Sequence, residues 1–419
     1  MGKTNHPSKV INDVAIVTAL SLLGDSMLYV ALPLYWEQAG LDSIWQVGIL
    51  LSINRFIRLP ANPFVGWIYK RISLKTGLLT AIIIGSITTL GYGLFNGFAA
   101  WIILRSLWGI VWSFFRIGGL TSVAYYAEES HRGKAMGTYN GLYRLGSLFG
   151  MLLGGIFIPV IGLDAVSIIF GLSTLAGIPI ILYTLKGNGA GSKTEHTTDK
   201  PKTYSASRFV KNRILFICTT GFFITMLFQG VLTSTLSSVI EYHYGEFISL
   251  FHIVLSVALL SGILQSIRWI WEPFLGRTVG ILSDGPKGRL PFFILSLFLT
   301  GLVFGMISFD GTIGLWIITT LLVMAGATVL TTLTDAIAMD ISRSGNTVSF
   351  LTLYTIIQDI GAAAGPFIGY MIIELKSGYA YLYWGGSGLF FLLAFLWLLI
   401  HLSEKKQQLG RVKNEFNYH

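Results

Sequence analysis

The chain has 419 residues, of which 53% are hydrophobic and only 12% charged, with a net charge of +9. Apolar runs of about 18 residues or more recur along nearly its whole length, which excludes a soluble globular core and marks a polytopic, all-α membrane protein. The basic surplus is accounted for by orientation in the membrane, so no nucleic-acid partner is expected.

Taken in chain order, twelve spans are expected. The first, roughly 11–37, holds Asp25 midway and is too long and too polar there to be a cleaved leader, so it is read as a retained span. The second, roughly 43–69, carries SINRFIRLPANPFVGWIYKR, with Asn54, Arg55 and Arg58 inside it. A charge-free third span, roughly 76–98, leads to the fourth, roughly 100–127, with Arg105, Gly109, Trp112 and Arg116. Arg105 stands a few residues inside the outer end of that span, within snorkelling reach of the interface, and Arg116 lies three turns deeper on the same face. The fifth and sixth spans, roughly 135–161 and 164–185, begin with RLGSLFGMLLGG, which contains Arg144, Gly146, Gly150 and Gly154.

A polar stretch, KGNGAGSKTEHTTDKPKTYSASR, then reads as a flexible linker. It divides a first six-helix bundle (residues 1–186) from a second (212–403), with the linker at 187–211 and a tail at 404–419. Span seven, roughly 212–241, holds the only cysteine, Cys218, so no intrachain disulfide is possible. Span eight, roughly 249–282, carries SIRWIWEPFLGRTVGILSDG with Arg268, Trp269 and Glu272. Spans nine and ten, roughly 290–309 and 313–339, add Asp335 near one end. Spans eleven and twelve, roughly 347–375 and 379–403, include DIGAAAGPFIGY with Asp359, Gly361, Gly365, Pro366 and Gly369.

Of the 29 Lys and Arg, 22 fall in the termini and every second loop, which places both termini in the cytoplasm. The halves also repeat one plan. With Gly66 set against Gly280, Asn54 falls opposite Arg268, Arg58 opposite Glu272 and Lys70 opposite Asp284. With the glycines of span five set against those of span eleven, Arg144 falls opposite Asp359. Matched polar positions in duplicated halves are a transporter pattern, with the substrate site near the midplane.

The twelve spans, cytoplasmic termini and central loop resemble the major facilitator superfamily over nearly the whole chain. GILSDGPKGR resembles that family's gating motif at Gly280, Asp284, Gly288 and Arg289. The matching loop GWIYKRISLK keeps Gly66, Arg71 and Lys75 but has Lys70 in the acidic position, so a charge latch there borrows its carboxylate elsewhere, with Glu128 and Glu129 as candidates. RSLWG resembles the family's Arg-x-x-x-Gly motif at Arg105 and Gly109. The Gly-x-x-x-Gly-Pro-x-x-Gly pattern that exporters usually carry in span five occurs here in span eleven, and Met151 replaces the proline in span five. The resemblance implies a drug or metabolite exporter, monomeric, in the inner membrane of a bacterial cell.

Six arginines (Arg55, Arg58, Arg105, Arg116, Arg144 and Arg268) against four acids leave a cationic excess inside the membrane. Each costs at least about 2.5–3.5 kcal/mol at a helix centre, so each needs a partner or water. Arg58–Glu272 and Arg144–Asp359 are expected to pair between the halves, with Arg268–Glu272, four apart on one helix, as a local alternative. Asn54, the arginines other than Arg105, Trp112 and Trp269 are the expected substrate contacts; Asp25, Glu272 and Asp359 are the expected proton carriers, and Asp25 is alternatively a fixed arginine partner. The glycine series in spans five and eleven is a packing seam and hinge. No nucleotide-binding loop, metal-ligand spacing or catalytic set occurs, so neither an enzyme nor a cofactor is expected. The reading is a proton-coupled antiporter, by alternating access, of an anionic or amphiphilic small molecule. Its rivals are an uptake symporter or anion exchanger and, in another class, a non-transporting sensor or assembly protein.

Overall fold

The structure, a computed structural model, describes residues 7–128, 132–186, 208–250, 253–284, 288–342 and 347–416. Most of the linker and Glu129 lie outside the described residues. Helices α1 (Pro7–Ala31), α2 (Ile44–Tyr69), α3 (Leu74–Tyr92), α4 (Phe98–Tyr126), α5 (Arg132–Leu175) and α6 (Gly177–Thr184) come first. Then follow α7 (Arg208–Thr225), a π-helical segment (Met226–Leu232) and α8 (Thr233–Tyr244). After strands β1 (Phe247–Leu250) and β2 (Ile253–Ser256) come α9 (Val257–Ser283), α10 (Arg289–Met306), α11 (Ile313–Ser342), α12 (Thr347–Ile373) and α13 (Gly378–Phe416).

Among the described residues, nine helical segments are long and apolar enough to cross a membrane. Helices α2 and α9 match them in length, 26 and 27 residues, but their embedded arginines and polar groups lower their hydropathy. One of the nine, Lys134–Thr184, runs for 51 residues. At 1.5 Å per residue that is about 75 Å of chain, more than twice a hydrocarbon core of roughly 30 Å. Gly162 breaks it, with φ of 87°, a value that a side chain would resist.

Two details depart from the sequence reading. Strands β1 and β2, taken in part as the start of span eight, pair antiparallel, with Phe247 facing Ser256 and Leu250 facing Ile253. Short β-branched apolar runs fit a strand as well as a helix, and periodicity alone cannot separate them. Helix α13 also continues to Phe416, through most of the expected tail.

The chain forms two compact units. Unit 1 contains Met1–Lys200, Gln229–Trp269 and Ala362–Glu374. Its axis is α1, which packs most extensively on α5. Gly146, Gly150 and Gly154 of α5 lie against Ala19, Leu23 and Met27 of α1, so two rows spaced by four residues meet backbone to backbone. Around this seam α1, α3, α4 and α6 enclose a core that includes Val14, Leu78, Ile82, Trp108, Phe115 and Ile181.

Within the same unit, segments from the second half of the chain close on α2 and α5. The Ser52 hydroxyl accepts a hydrogen bond from the Phe367 amide at 3.0 Å, Ser266 donates to the Leu148 carbonyl at 3.1 Å, and Ser43 bonds Glu374. Gly48 sits against the Pro366 carbonyl and Tyr370, and Gly155 and Gly262 fit against Ala258 and Met151. Such contacts need small residues, because a Cβ on Gly48 would stand 2.7 Å from the Pro366 oxygen.

Unit 2 contains Pro201–Phe228, Ile270–Gly361 and Leu375–His419. There α10 packs on α13 and α11 around Phe228, Phe293, Phe304, Phe390 and Trp397, whose rings meet edge to face or tilted. The Trp397 indole donates to Thr220 at 3.0 Å and Ser387 to the Gly301 carbonyl at 2.6 Å, which removes both polar groups from lipid.

Candidate functional site

In unit 1 the sequence-predicted charges gather on α1, α2, α4, α5 and the start of α9. Asp25 is 5% exposed, and Oδ1 accepts from the Arg105 guanidinium at 2.5 Å and from the Asn54 amide at 3.1 Å. Arg105 is fully buried, and its Nε donates to the Leu50 carbonyl at 3.0 Å. The sequence reading brought Arg105 within snorkelling reach of the interface, but it turns inward. Gly109, one turn further on, explains this: it lies against the Asn54 carbonyl, so α4 approaches α2 closely enough for Arg105 to reach across to α1. The Arg-x-x-x-Gly spacing thus has a geometric meaning, with the glycine setting the approach and the arginine using it.

Half-buried Arg55 donates from Nε to the Tyr29 hydroxyl at 3.3 Å and stands 5.7 Å from that ring's centre. Arg58 lies over Trp112 at 5.2 Å. Arg144 and Arg268 both lie over Trp269, at 5.5 and 5.9 Å. Three of the expected arginines therefore rest on the two expected tryptophans, whose faces favour a cation by about 0.5–2 kcal/mol each. Among the described residues, Arg116, half-buried on α4, makes no hydrogen bond, ion pair or ring contact with this group. Among the described residues, neither Arg55 nor Arg116 has a carboxylate within salt-bridge distance.

Unit 2 holds the other acids. Glu272 is half-buried on α9 and Asp359 is exposed on α12. Asp335, which the sequence marked only as an acid near a span end, is better organised: Oδ1 accepts from the Tyr354 hydroxyl at 2.9 Å and the Gln358 amide at 3.1 Å. Gln358 also donates to Tyr354 at 2.9 Å. The signal that identifies this trio is the i, i+4 spacing of Tyr354 and Gln358, two polar groups on one face of an apolar helix.

At the end of α9, Arg289 joins Asp284 at 2.5 Å and Asp340 at 2.7 Å, and also donates to the Ala336 carbonyl. Gly280 has open space around it and Gly288, with φ of 73°, turns the chain into α10. Asp340 lies 51 residues from Arg289, too far along the chain for a local motif to disclose. In the first-half loop Arg71 stacks on Trp67 at 3.8 Å, while Gly66 and Lys75 flank the end of α2 and the start of α3. The glycines of α12 divide between the units: Gly361 lies against Phe222 in unit 2, whereas Gly365 meets Gly230 in unit 1 and Pro366 and Gly369 are buried there.

Known proteins share this architecture. The chromaffin granule amine transporter of Homo sapiens is 30% identical over 125 residues, which is 30% of this chain and 24% of the relative, so the match spans about a quarter of that protein's length. A bacterial homolog to the human lysosomal transporter Spinster, solved in an inward-facing and unoccupied conformation, superposes with a TM-score of 0.68 at 16% identity, covering 95% of this chain and 96% of that one. The peptide transporter POT in complex with sulfate gives a TM-score of 0.71 at 14% identity over 96% of both chains. At these identities the two structures establish the fold alone. The sequence profile described as Major Facilitator Superfamily matches residues 14–282, well over half of the chain, and the chain belongs to that superfamily.

Proposed function

We propose that the chain is a secondary active transporter that works by alternating access and exports an anionic or amphiphilic small molecule in exchange for protons. In this reading it makes twelve crossings in two six-helix halves, with both termini in the cytoplasm of a bacterial cell. The carrying observation is that Arg55 and Arg116 sit inside α2 and α4 with no carboxylate of the described residues in salt-bridge distance, while Asp25 is occupied by Arg105. Unbalanced guanidinium groups at membrane depth are costly unless a cavity or a substrate anion meets them. Guanidinium forks suit carboxylate or phosphate, and the adjoining Trp112 and Trp269 suit an apolar or aromatic body.

Protonation of Asp25 would remove the charge that Arg105 and Asn54 hold, which supplies a local change for a proton to drive. Moving one proton inward down about 100 mV contributes about 2.3 kcal/mol. In proteoliposomes with an interior pH dye, candidate organic anions should drive proton movement in the intact protein. Asp25→Asn should abolish it, and Arg55→Gln should raise the substrate concentration for half-maximal flux about tenfold, the loss of one charge-assisted hydrogen bond. Counterflow of an anion that survives Asp25→Asn would instead establish an exchanger.

A second reading, an amine cargo, is favoured by the name of the partial relative and by the Asp335, Tyr354 and Gln358 trio. Asp335 has no cationic partner among the described residues. Organic amines in the same assay test it: amine-driven proton flux that disappears in Asp335→Asn, with no response to anions, would replace the first reading.

A further inference from the structure

Beside the Asp25–Arg105 pair, unit 1 holds polar atoms that the pair does not use. Arg105 Nη2, the Asn54 side-chain oxygen Oδ1 and the Tyr92 hydroxyl belong to fully buried residues, and none has a hydrogen-bond partner of normal geometry among the described residues. A buried polar atom left in this way is destabilising, so its persistence at one place calls for a use. Tyr92, the last residue of α3, is brought to Arg105 by packing. Its ring stacks on Trp101 at 4.9 Å, one turn before Arg105 on α4, and its hydroxyl is an electrostatic neighbour of the guanidinium. Two glycines set this approach. Gly24, next to Asp25, lies against Thr89 on the turn of α3 before Tyr92, and Gly91 lies against Leu104 of α4, where a Cβ would stand 2.6 Å from the leucine side chain. Helix α3 is thereby pressed onto α1 and α4 at the level of the pair.

The unused atoms are complementary. Nη2 carries two N–H donors, whereas Oδ1 and the phenol oxygen accept. The orientation of Asn54 is fixed by its neighbour: the amide nitrogen donates to the Asp25 carboxylate, which turns the carbonyl oxygen away from it. While the acid is ionised, a charge-assisted bond holds Arg105 Nη1 on Asp25 Oδ1 at 2.5 Å. Once the acid is neutral, that bond is no stronger than any other neutral contact, and the guanidinium gains by turning toward acceptors that have no other donor. Tyr29 is a further titratable neighbour of Arg105, but its hydroxyl already accepts from Arg55.

We propose that Tyr92 is the second docking point of Arg105, taking the guanidinium together with the Asn54 carbonyl when Asp25 is neutral. The proposal rests on the reading of Asp25 as the proton carrier and adds a positioning residue to it. Through the phenol, loss of a charge on α1 becomes a new contact between α4 and α3.

The test is thermal unfolding of the full chain in one detergent, comparing the intact protein with Tyr92→Phe, Asp25→Asn and the double variant. Asparagine is isosteric with the neutral acid, and Asp25→Ala supplies a second neutral background with no side-chain acceptor at that position. Tyr139→Phe is the control, because the Tyr139 hydroxyl donates to the Phe115 carbonyl at 3.3 Å, away from the pair. With Asp25 in place, Tyr92→Phe deletes a hydroxyl that has no partner, so the midpoint should hold or rise. In either neutral background the same change should lower it by about 1–3 °C, the loss of one hydrogen bond, whereas Tyr139→Phe should act equally in all backgrounds. An equal effect of Tyr92→Phe with and without the acid, whatever its sign, would overturn the proposal. Because transport is not measured, the two readings fail separately. Proton flux lost in Asp25→Asn alongside additive midpoints would keep the antiporter and remove Tyr92 from it. Non-additive midpoints without proton flux would keep the switch and remove the antiporter.

Discussion

Asp25 and Arg105 form a buried pair whose two members are unequal in what they need. Arg105 has the Leu50 carbonyl as well as the carboxylate, whereas among the described residues Asp25 is held by Arg105 and Asn54 alone. Arg105→Leu should therefore lower stability by about 3–5 kcal/mol, because it strands a charge in a dry site. Replacing both, as Asp25→Asn with Arg105→Leu, should cost less than the sum of those two single changes. Thermal unfolding of the four proteins in one detergent measures that cycle; strict additivity would mean the pair is not coupled. The sequence made this acid conspicuous and offered a fixed arginine partner as one of its roles, but it did not say which arginine. Sequence position gives depth along each helix, while the choice among Arg55, Arg58 and Arg105 depends on how helices rotate and approach, and Gly109 decides that.

At the scale of elements, glycine spacing separates seams from gaps. Gly146 lies against the backbone at Ala19, so Gly146→Ala should destabilise by about 1–3 kcal/mol through overpacking. Gly280, in the gating motif, has nothing within 4 Å of an added Cβ, so Gly280→Ala should change stability by no more than about 1 kcal/mol, and in the favourable direction that helix propensity predicts. Parallel thermal melts check the contrast. The four-residue rhythm of Gly146, Gly150 and Gly154 was legible because small residues at that spacing have one physical use. The β1–β2 pairing was not: FISL and IVLS are apolar and β-branched, and next to a long apolar run they read as its continuation. Asp340, the second carboxylate on Arg289, was hidden for a different reason. Arg289 opens α10 and Asp340 lies near the far end of the next helix, α11, so the two meet through the packing of that pair and no local motif marks which acid of α11 is reached.

For the whole molecule, the linker and the packing divide the chain differently. The linker follows the repeat in the sequence, whereas the compact units follow contact, and unit 1 takes in Gln229–Trp269 and Ala362–Glu374. The sequence could show that the halves resemble each other, because matched charges survive alignment. It could not show which ends of the second-half helices lie against α2 and α5, since that rests on single serines and glycines such as Ser52, Gly48 and Gly262. The expected topology has its own test. In a Cys218→Ser background, a thiol reagent that cannot cross membranes should label Lys376→Cys in intact cells and Ser403→Cys only after permeabilisation. Labelling in the reverse order would invert the orientation read from the basic loops.

The π-helical segment Met226–Leu232 carries one consequence for how this chain tolerates change. A π turn holds about one residue more than an α turn, and one residue in an α-helix corresponds to about 100° of rotation. Losing a single residue there would let the turn close as an α turn and leave the face that bears Ser234 and Ser237 close to its present direction, whereas losing one from α7 would swing that face by about 100°. In a chain read this way, a one-residue deletion at 229 is absorbed where it falls, while the same deletion at 222 is a mutation in angle rather than in length, and its effects would appear at side chains that were never altered.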